Sequence, residues 1–309
     1  MTTVLLGLGG ALVYGFADFL GGLASRRLRP VTVAAAAAAI GIVPLLVGLL
    51  LFGGRSSWQG TLWGAVGGLA GAVGVLLLYA ALAIGPMSVL SPLTAVFAAV
   101  LPVLVALLRG TVLSPVAVVA LVVAVVAVVL VATVRDPSGA RVTARGVLAA
   151  VIAGCGFGGI VLAFNETPSD SGIAPLVVAR LVQTVLLGTA AAVSATVARS
   201  GGAADPGTSA GVAGSAAPPG RWLRSAPGRR LVRVVIACGV FDALANVCIQ
   251  AGLHASDDPT TLPVISVLNA LYPIGTVVLA GVVLRERLTL LQGFGIALAL
   301  GAAVTLALA

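Results

Sequence analysis

Pro92-Leu93-Thr94-Ala95-Val96-Phe97-Ala98-Ala99-Val100-Leu101-Pro102 and Pro263-Val264-Ile265-Ser266-Val267-Leu268-Asn269-Ala270-Leu271-Tyr272-Pro273 are two versions of one apolar segment. They run at a constant offset of 171, which matches Pro92 with Pro263, Val96 with Val267, Ala99 with Ala270 and Pro102 with Pro273. The register reaches back to Ala80 against Ala251 and Leu82 against Leu253, so it covers Tyr79–Pro102 and Gln250–Pro273. Earlier stretches align as well, with Gly15-Phe16 on Gly156-Phe157 and Pro30 on Pro175. A self-similarity carried by apolar segments is the mark of a duplicated membrane unit.

Composition fixes the solvent. With 60% hydrophobic and 8% charged residues, the chain has too little polar surface to cover its apolar mass in water. The net charge of +8 comes from arginines that lie between apolar segments rather than in one patch, so a nucleic-acid footprint is not expected. Cys155, Cys238, Cys248 and the single His254 have no metal-ligand spacing, and each cysteine sits in an apolar segment as a small buried hydrophobe would. No metal, disulfide or cofactor is implied. The first apolar segment lacks a basic flank before it and is followed by Ser25-Arg26-Arg27-Leu28-Arg29, so it is expected to stay as the first helix.

At about 20 apolar residues per crossing, the chain divides into ten spans, near 4–24, 31–53, 60–84, 87–108, 113–134, 144–165, 173–198, 230–252, 261–284 and 289–308. Turn and charge signals separate them, among them Arg29-Pro30, Gly85-Pro86, Ser114-Pro115, Thr167-Pro168 and Asp257-Asp258-Pro259. The fold class is therefore all-α integral membrane, with ten helices in two five-helix repeats, 1–138 and 139–309. Residues 199–229, rich in Gly, Ala, Ser and Pro, are read as a disordered loop.

Fourteen of the 17 arginines fall in the connections after spans 1, 5, 7 and 9, against only Arg55 and Arg109 on the other side. The positive-inside rule makes the arginine-rich side cytoplasmic and puts both termini outside. Because each repeat has an odd number of spans, the second enters the membrane from the opposite face. The repeats are inverted, an arrangement that places a binding site near the midplane between them.

Polar residues inside the spans name the candidate site. In span 8, Cys238, Asp242, Asn246 and Gln250 recur every four residues and make one polar stripe. An ionisable group such as Asp242 at mid-membrane costs at least about 2.5–3.5 kcal/mol, so it faces a cavity, a partner or an ion path; a structural seam between helices is the plainer alternative. Span 9 adds Ser266, Asn269, Pro273 and Thr276, with Tyr272 beside them, where the first half has Ala95, Ala98, Pro102 and Val105. Pro273 frees a backbone carbonyl. Tyr14 and Asp18 lie one turn apart in span 1, and Asp18 is either an interfacial acid near Arg26 and Arg27 or a buried group able to exchange protons. Arg180, opposite Ala35 of the first half, either snorkels to the interface or faces the cavity, paired with Asp242 or Asp18 or free for a substrate carboxylate.

Gly60, Gly64 and Gly68, with Gly67 and Gly71, form small-residue ladders on span 3 that let helices approach closely. Trp58, Trp63 and Trp222 are placed as interface anchors.

The run Leu284-Arg285-Glu286-Arg287-Leu288-Thr289-Leu290-Leu291-Gln292-Gly293-Phe294-Gly295 resembles the Gly-Glu-Arg-Leu-Thr/Ser-x-x-Gln-x-x-Gly signature of the EamA family in the drug/metabolite transporter superfamily. Ile84-Gly85-Pro86-Met87-Ser88-Val89-Leu90-Ser91-Pro92-Leu93-Thr94 and Tyr14-Gly15-Phe16-Ala17-Asp18-Phe19 resemble that family's fourth-helix entry and first helix. Arg285 stands where the family has glycine, and the first half has Arg109-Gly110-Thr111-Val112-Leu113-Ser114 with no glutamate at the matching junction. The resemblance implies a ten-helix carrier that moves small metabolites, often outward, and its members commonly keep both termini inside, the reverse of the arginine count.

The expected function is secondary transport of a small polar or amphipathic metabolite across the plasma membrane, with export as the expected direction. The expected partners are the solute and the lipid bilayer, with protons as a candidate coupling ion through Asp242 or Asp18, and a homodimer left open. A zwitterionic solute would suit Asp242 and Arg180 if both faced the cavity. The rival is an intramembrane enzyme acting on a lipid-linked substrate, for which the adjacent acids Asp257-Asp258 have no second cluster. The chain has no lysine and no phosphate-binding loop of the Gly-x-x-x-x-Gly-Lys type, so ATP hydrolysis by that route is excluded.

Overall fold

In hydrocarbon each backbone N–H and C=O must be satisfied within its own segment, and a helix does this locally. The computed structural model describes residues 1–85, 87–132, 143–202, 226–283 and 290–308, and no strand occurs among them. The helices are α1 (Thr2–Ser25), α2 (Pro30–Phe52), α3 (Trp58–Ile84), α4 (Met87–Leu108), α5 (Pro115–Ala132) and α6 (Ala144–Asn165). After a short 3₁₀ turn at Ser169–Ser171 come α7 (Ala174–Gly202), α8 (Ala226–Leu253), α9 (Thr261–Asn269), α10 (Tyr272–Val283) and α11 (Leu290–Leu308). Six of the described helices are long and apolar enough to cross a membrane.

Local chemistry sets the ends. Pro30 opens α2 at a position that needs no N–H. Ser57 and Thr143 cap α3 and α6 by accepting hydrogen bonds from Gly60 N (3.0 Å) and Gly146 N (3.1 Å). Gly53, at φ 73°, ends α2 in a backbone conformation that costs a side-chain-bearing residue energy.

Two expectations change. The loop placed at 199–229 is shorter at both ends, because α7 continues to Gly202 and α8 begins at Ala226; the intervening 203–225, with Trp222, lie outside the described residues. The ninth span is two helices, since the chain steps through Ala270-Leu271 with tightened bonds, Leu271 N to Leu268 O at 3.1 Å and Ile274 N to Leu271 O at 3.0 Å. Pro273 lacks an N–H for the Asn269 carbonyl and its ring crowds that oxygen, which accounts for the break. Yet α4 runs unbroken through Pro102. The difference lies in packing: Gly15 of α1 seats against the Tyr272 carbonyl, and the Thr276 hydroxyl donates to Gly15 O at 3.2 Å.

The principal contacts join α1 to α8, α3 to α6, α4 to α6, α3 to α7, α2 to α7, α2 to α8, α5 to α11, and α1 to α9 and α10. Glycines set the closest of these approaches, as the ladders on the third span suggest. A Cβ on Gly68 would sit 2.6 Å from Ala179 O, and one on Gly64 2.6 Å from Pro175 O, both on the rigid backbone of α7. Close approach of this kind is what holds helices together where lipid removes the hydrophobic drive. Gly68→Leu is expected to cost at least about 1–3 kcal/mol through overpacking and to lower the unfolding temperature in detergent. Gly188→Ala, whose Cβ meets nothing within 4 Å, should leave it unchanged in the same thermal-melt assay.

Candidate functional site

Among the described residues three charged side chains are buried, Asp18, Arg180 and Asp242. The spacing of the α8 stripe turns Cys238, Asp242, Asn246 and Gln250 inward together, and all four are buried. Their partners differ, and the differences divide the expected site into three places.

The first is an ion pair. Arg180 Nη2 meets Asp242 Oδ2, and Arg180 Nη1 donates to Gln183 Oε1 at 2.7 Å. Arg180 is only 4% exposed, so it does not snorkel to the interface. The backbone of Gly41 on α2 leaves the passage, since a Cβ there would stand 3.4 Å from Arg180 Nε. Asn246 Nδ2 donates to the Asp242 carbonyl at 2.8 Å, and nearby the Tyr79 hydroxyl and Cys238 Sγ are 3.0 Å apart. Each charge of the pair is occupied by the other, and neither residue lines the central cavity.

The second place is that cavity. Tyr14 and Asp18 of α1, Phe157 and Ile160 of α6, Ile249 of α8, Asn269 of α9 and Tyr272 of α10 line it. Three aromatic rings cluster there, with Tyr14 centred 6.4 Å from Phe157 and 6.5 Å from Tyr272 in tilted arrangements. The space open to a water centre is about 10 Å³, enough for about one water, so a solute requires the helices to part. Asp18 is 4% exposed, whereas Arg26 and Arg27 are exposed, so the interfacial reading of Asp18 is corrected in favour of the buried one. Asn269 Oδ1 is buried without a hydrogen-bond partner. The Tyr272 hydroxyl donates to Ser91 O at 3.2 Å, leaving its ring to the cavity.

The third place joins α6 to α8 at the arginine-poor end. Gln250 Nε2 donates to Thr167 Oγ1 at 2.8 Å, and His254 Nε2 stands 3.1 Å from the same oxygen. Thr167 gives its one hydrogen to Phe164 O at 2.7 Å, so His254 must supply the hydrogen of its own bond from Nε2. Beside this latch opens a polar vestibule of about 370 Å³ bounded by Arg109, Asn165, His254, Asp257 and Thr261. Arg109 pairs with Glu166, and Arg55 with Asp170 at 3.6 Å, across the same end. The adjacent acids are a loop cap, with Asp258 Oδ1 accepting from Thr260 N at 2.8 Å and Thr260 Oγ1 at 2.7 Å, which lowers the Asp258 carboxyl below its usual range.

Ser266 joins none of the three, because its hydroxyl donates back to Leu262 O at 2.6 Å within α9. Sequence reasoning missed Gln183, Thr167 and His254. Gln183 was open to detection, three residues beyond Arg180 on the same helix face. Thr167 was visible only as a turn residue, because nothing local places it against α8.

The fold and its buried polar centre define an α-helical, multi-pass membrane protein. Residues 1–133 match the model of the EamA-like transporter family, part of the drug/metabolite transporter superfamily. The resembling run at Leu284–Gly295 lies beyond that match, and 284–289 lie outside the described residues. No match is found among curated proteins. Solved structures do match, and one, described only as "Crystal structure of protein", superposes with a TM-score of 0.68 at 18% identity, covering 99% of this chain and 96% of its own. That likeness speaks to the fold alone.

Asp242→Asn leaves the Arg180 guanidinium buried without its counter-charge, at an expected cost of about 3–5 kcal/mol. Arg180→Met combined with Asp242→Asn should recover much of that loss, and a double-mutant cycle of detergent melting temperatures checks the coupling. A second expectation concerns His254, just past the end of its span, where burial holds the imidazole below its ordinary value against the opposing Phe164 carbonyl and Asp257. The unfolded chain therefore takes up this proton first, so stability is present above pH 6.5 and is lost as pH falls below it. His254→Gln should flatten the acid-side fall in melting temperature between about pH 8 and pH 5.

Proposed function

We propose that this chain is a secondary carrier of a small polar or amphipathic metabolite, working by alternating access between two inverted five-helix repeats. The observation that carries the reading is the narrow cavity between α1 and α6, α8, α9 and α10, where an acid without an ion-pair partner and an amide oxygen without a hydrogen-bond partner among the described residues stand together. A buried carboxylate with no ion-pair partner is costly in a purely structural core and is the ordinary furniture of a solute or ion path.

Packing supports the inverted repeats. Exchanging α1 with α6, α2 with α7, α3 with α8, α4 with the α9–α10 pair and α5 with α11 carries the principal contacts onto one another: α1–α8 becomes α3–α6, and α2–α8 becomes α3–α7. In such a carrier one set of helices rocks against the other around a fixed site. The Thr167–Gln250–His254 latch would then be a contact of the arginine-poor gate, closed in this state. The side with Arg26, Arg27 and Arg29 is cytoplasmic in this reading, both termini are outside and the direction is outward. Asp18, and not the paired Asp242, is the group for proton coupling, and the charged group whose field reaches it is Asp242. No observation favours the lipid-linked enzyme.

Counterflow in proteoliposomes with a panel of small metabolites tests the carrier reading. Saturable exchange of at least one solute is expected, and Asp18→Asn should abolish the pH dependence of that exchange. Leakage without saturation for the whole panel would sink the reading.

A further inference from the structure

The buried charges do not balance. When both acids are ionised, Asp242 and Asp18 carry two negative charges against the one positive charge of Arg180, an excess of one negative charge among the described buried residues. Arg180 forms its ion pair with Asp242 and also donates to Gln183, and among the described residues no ion pair joins it to Asp18. The unbalanced acid is Asp18, and it is Asp18 that lines the cavity. Around it stand Tyr14, Phe157 and Tyr272, whose ring faces attract cations. Asn269 also lines the cavity, and its buried Oδ1 has no hydrogen-bond donor among the described residues. No cationic side chain lines the space, so a substrate carboxylate would find no counter-charge there and would face Asp18.

Resting on the carrier reading, we propose that the cavity takes an amphipathic primary or secondary ammonium ion. Asp18 is its counter-charge, Asn269 Oδ1 accepts one of its N–H groups, and the three rings with Ile160 and Ile249 enclose its apolar body. The zwitterion that Arg180 and Asp242 would suit together is disfavoured, because those two residues neutralise each other outside the cavity. A ligand with no N–H or O–H would leave Asn269 Oδ1 unsatisfied, at the cost of a buried unpaired acceptor.

Four probes that share a phenylethyl body test this on the full chain: 2-phenylethylamine, 2-phenylethanol, 3-phenylpropionate and phenylalanine. Calorimetric titration in detergent should give 2-phenylethylamine at least about tenfold tighter binding than each of the others, the scale expected for one desolvated charge contact. Asp18→Asn should remove that preference. Asn269→Asp, which adds a second acid to the cavity, should strengthen it, and keeps the idea testable if Asp18→Asn does not fold. Equal or tighter binding of phenylalanine or 3-phenylpropionate, no binding of the amine, or an amine preference unchanged by both substitutions would overturn the proposal. Counterflow of 2-phenylethylamine separates the two readings: binding without exchange counts against the carrier and leaves the amine site standing.

Discussion

Arg180 and Asp242 meet where water is absent, and the surrounding helices are arranged to make that meeting tolerable. The guanidinium passes the backbone of Gly41, takes Gln183 as a second acceptor, and links α7 to α8 across α2, on which both pack. A buried charge left alone is far costlier than a pair, so the position of α7 relative to α8 is tied to this contact. Its second effect is subtraction. By consuming each other's charge, the two residues drop out of the cavity chemistry and leave Asp18 as the buried acid without a counter-charge among the described residues.

Close helix approach is the other constraint, and it depends on what glycine lacks. Gly64 and Gly68 lay α3 on the backbone of α7, and Gly15 lays α1 on the Tyr272 carbonyl at the α9–α10 break. The same device thus does two jobs. On α3 it packs a scaffold, whereas on α1 it brings Tyr14 and Asp18 beside Tyr272 and Asn269.

Much of this was open to reading from the chain. Apolar lengths between Gly, Pro and Arg signals placed the helices within a few residues, because lipid admits little besides helices. The period of four on α8 identified the inward face, and Asp18, Tyr14, Asn269 and Tyr272 were already candidates. Periodicity names a face but not its neighbour, and here the prediction ran out. Nothing in the sequence tells whether Arg180 takes Asp18 or Asp242, or that Gln250 turns to Thr167. Pro102 and Pro273 make the same point about backbone, since equivalent prolines leave one helix whole and break the other.

By itself the sequence determined the solvent, the helical class and the duplicated register, because those follow from residue chemistry and spacing along one chain. The tertiary structure decided which polar groups cancel and which remain. Pairing of Arg180 with Asp242, closure of Thr167 on Gln250 and His254, and the gathering of Tyr14, Asp18, Asn269 and Tyr272 into one space all join residues far apart in the chain. Electrostatic balance in a water-poor interior is a property of neighbours in space, and spacing along a helix does not encode them.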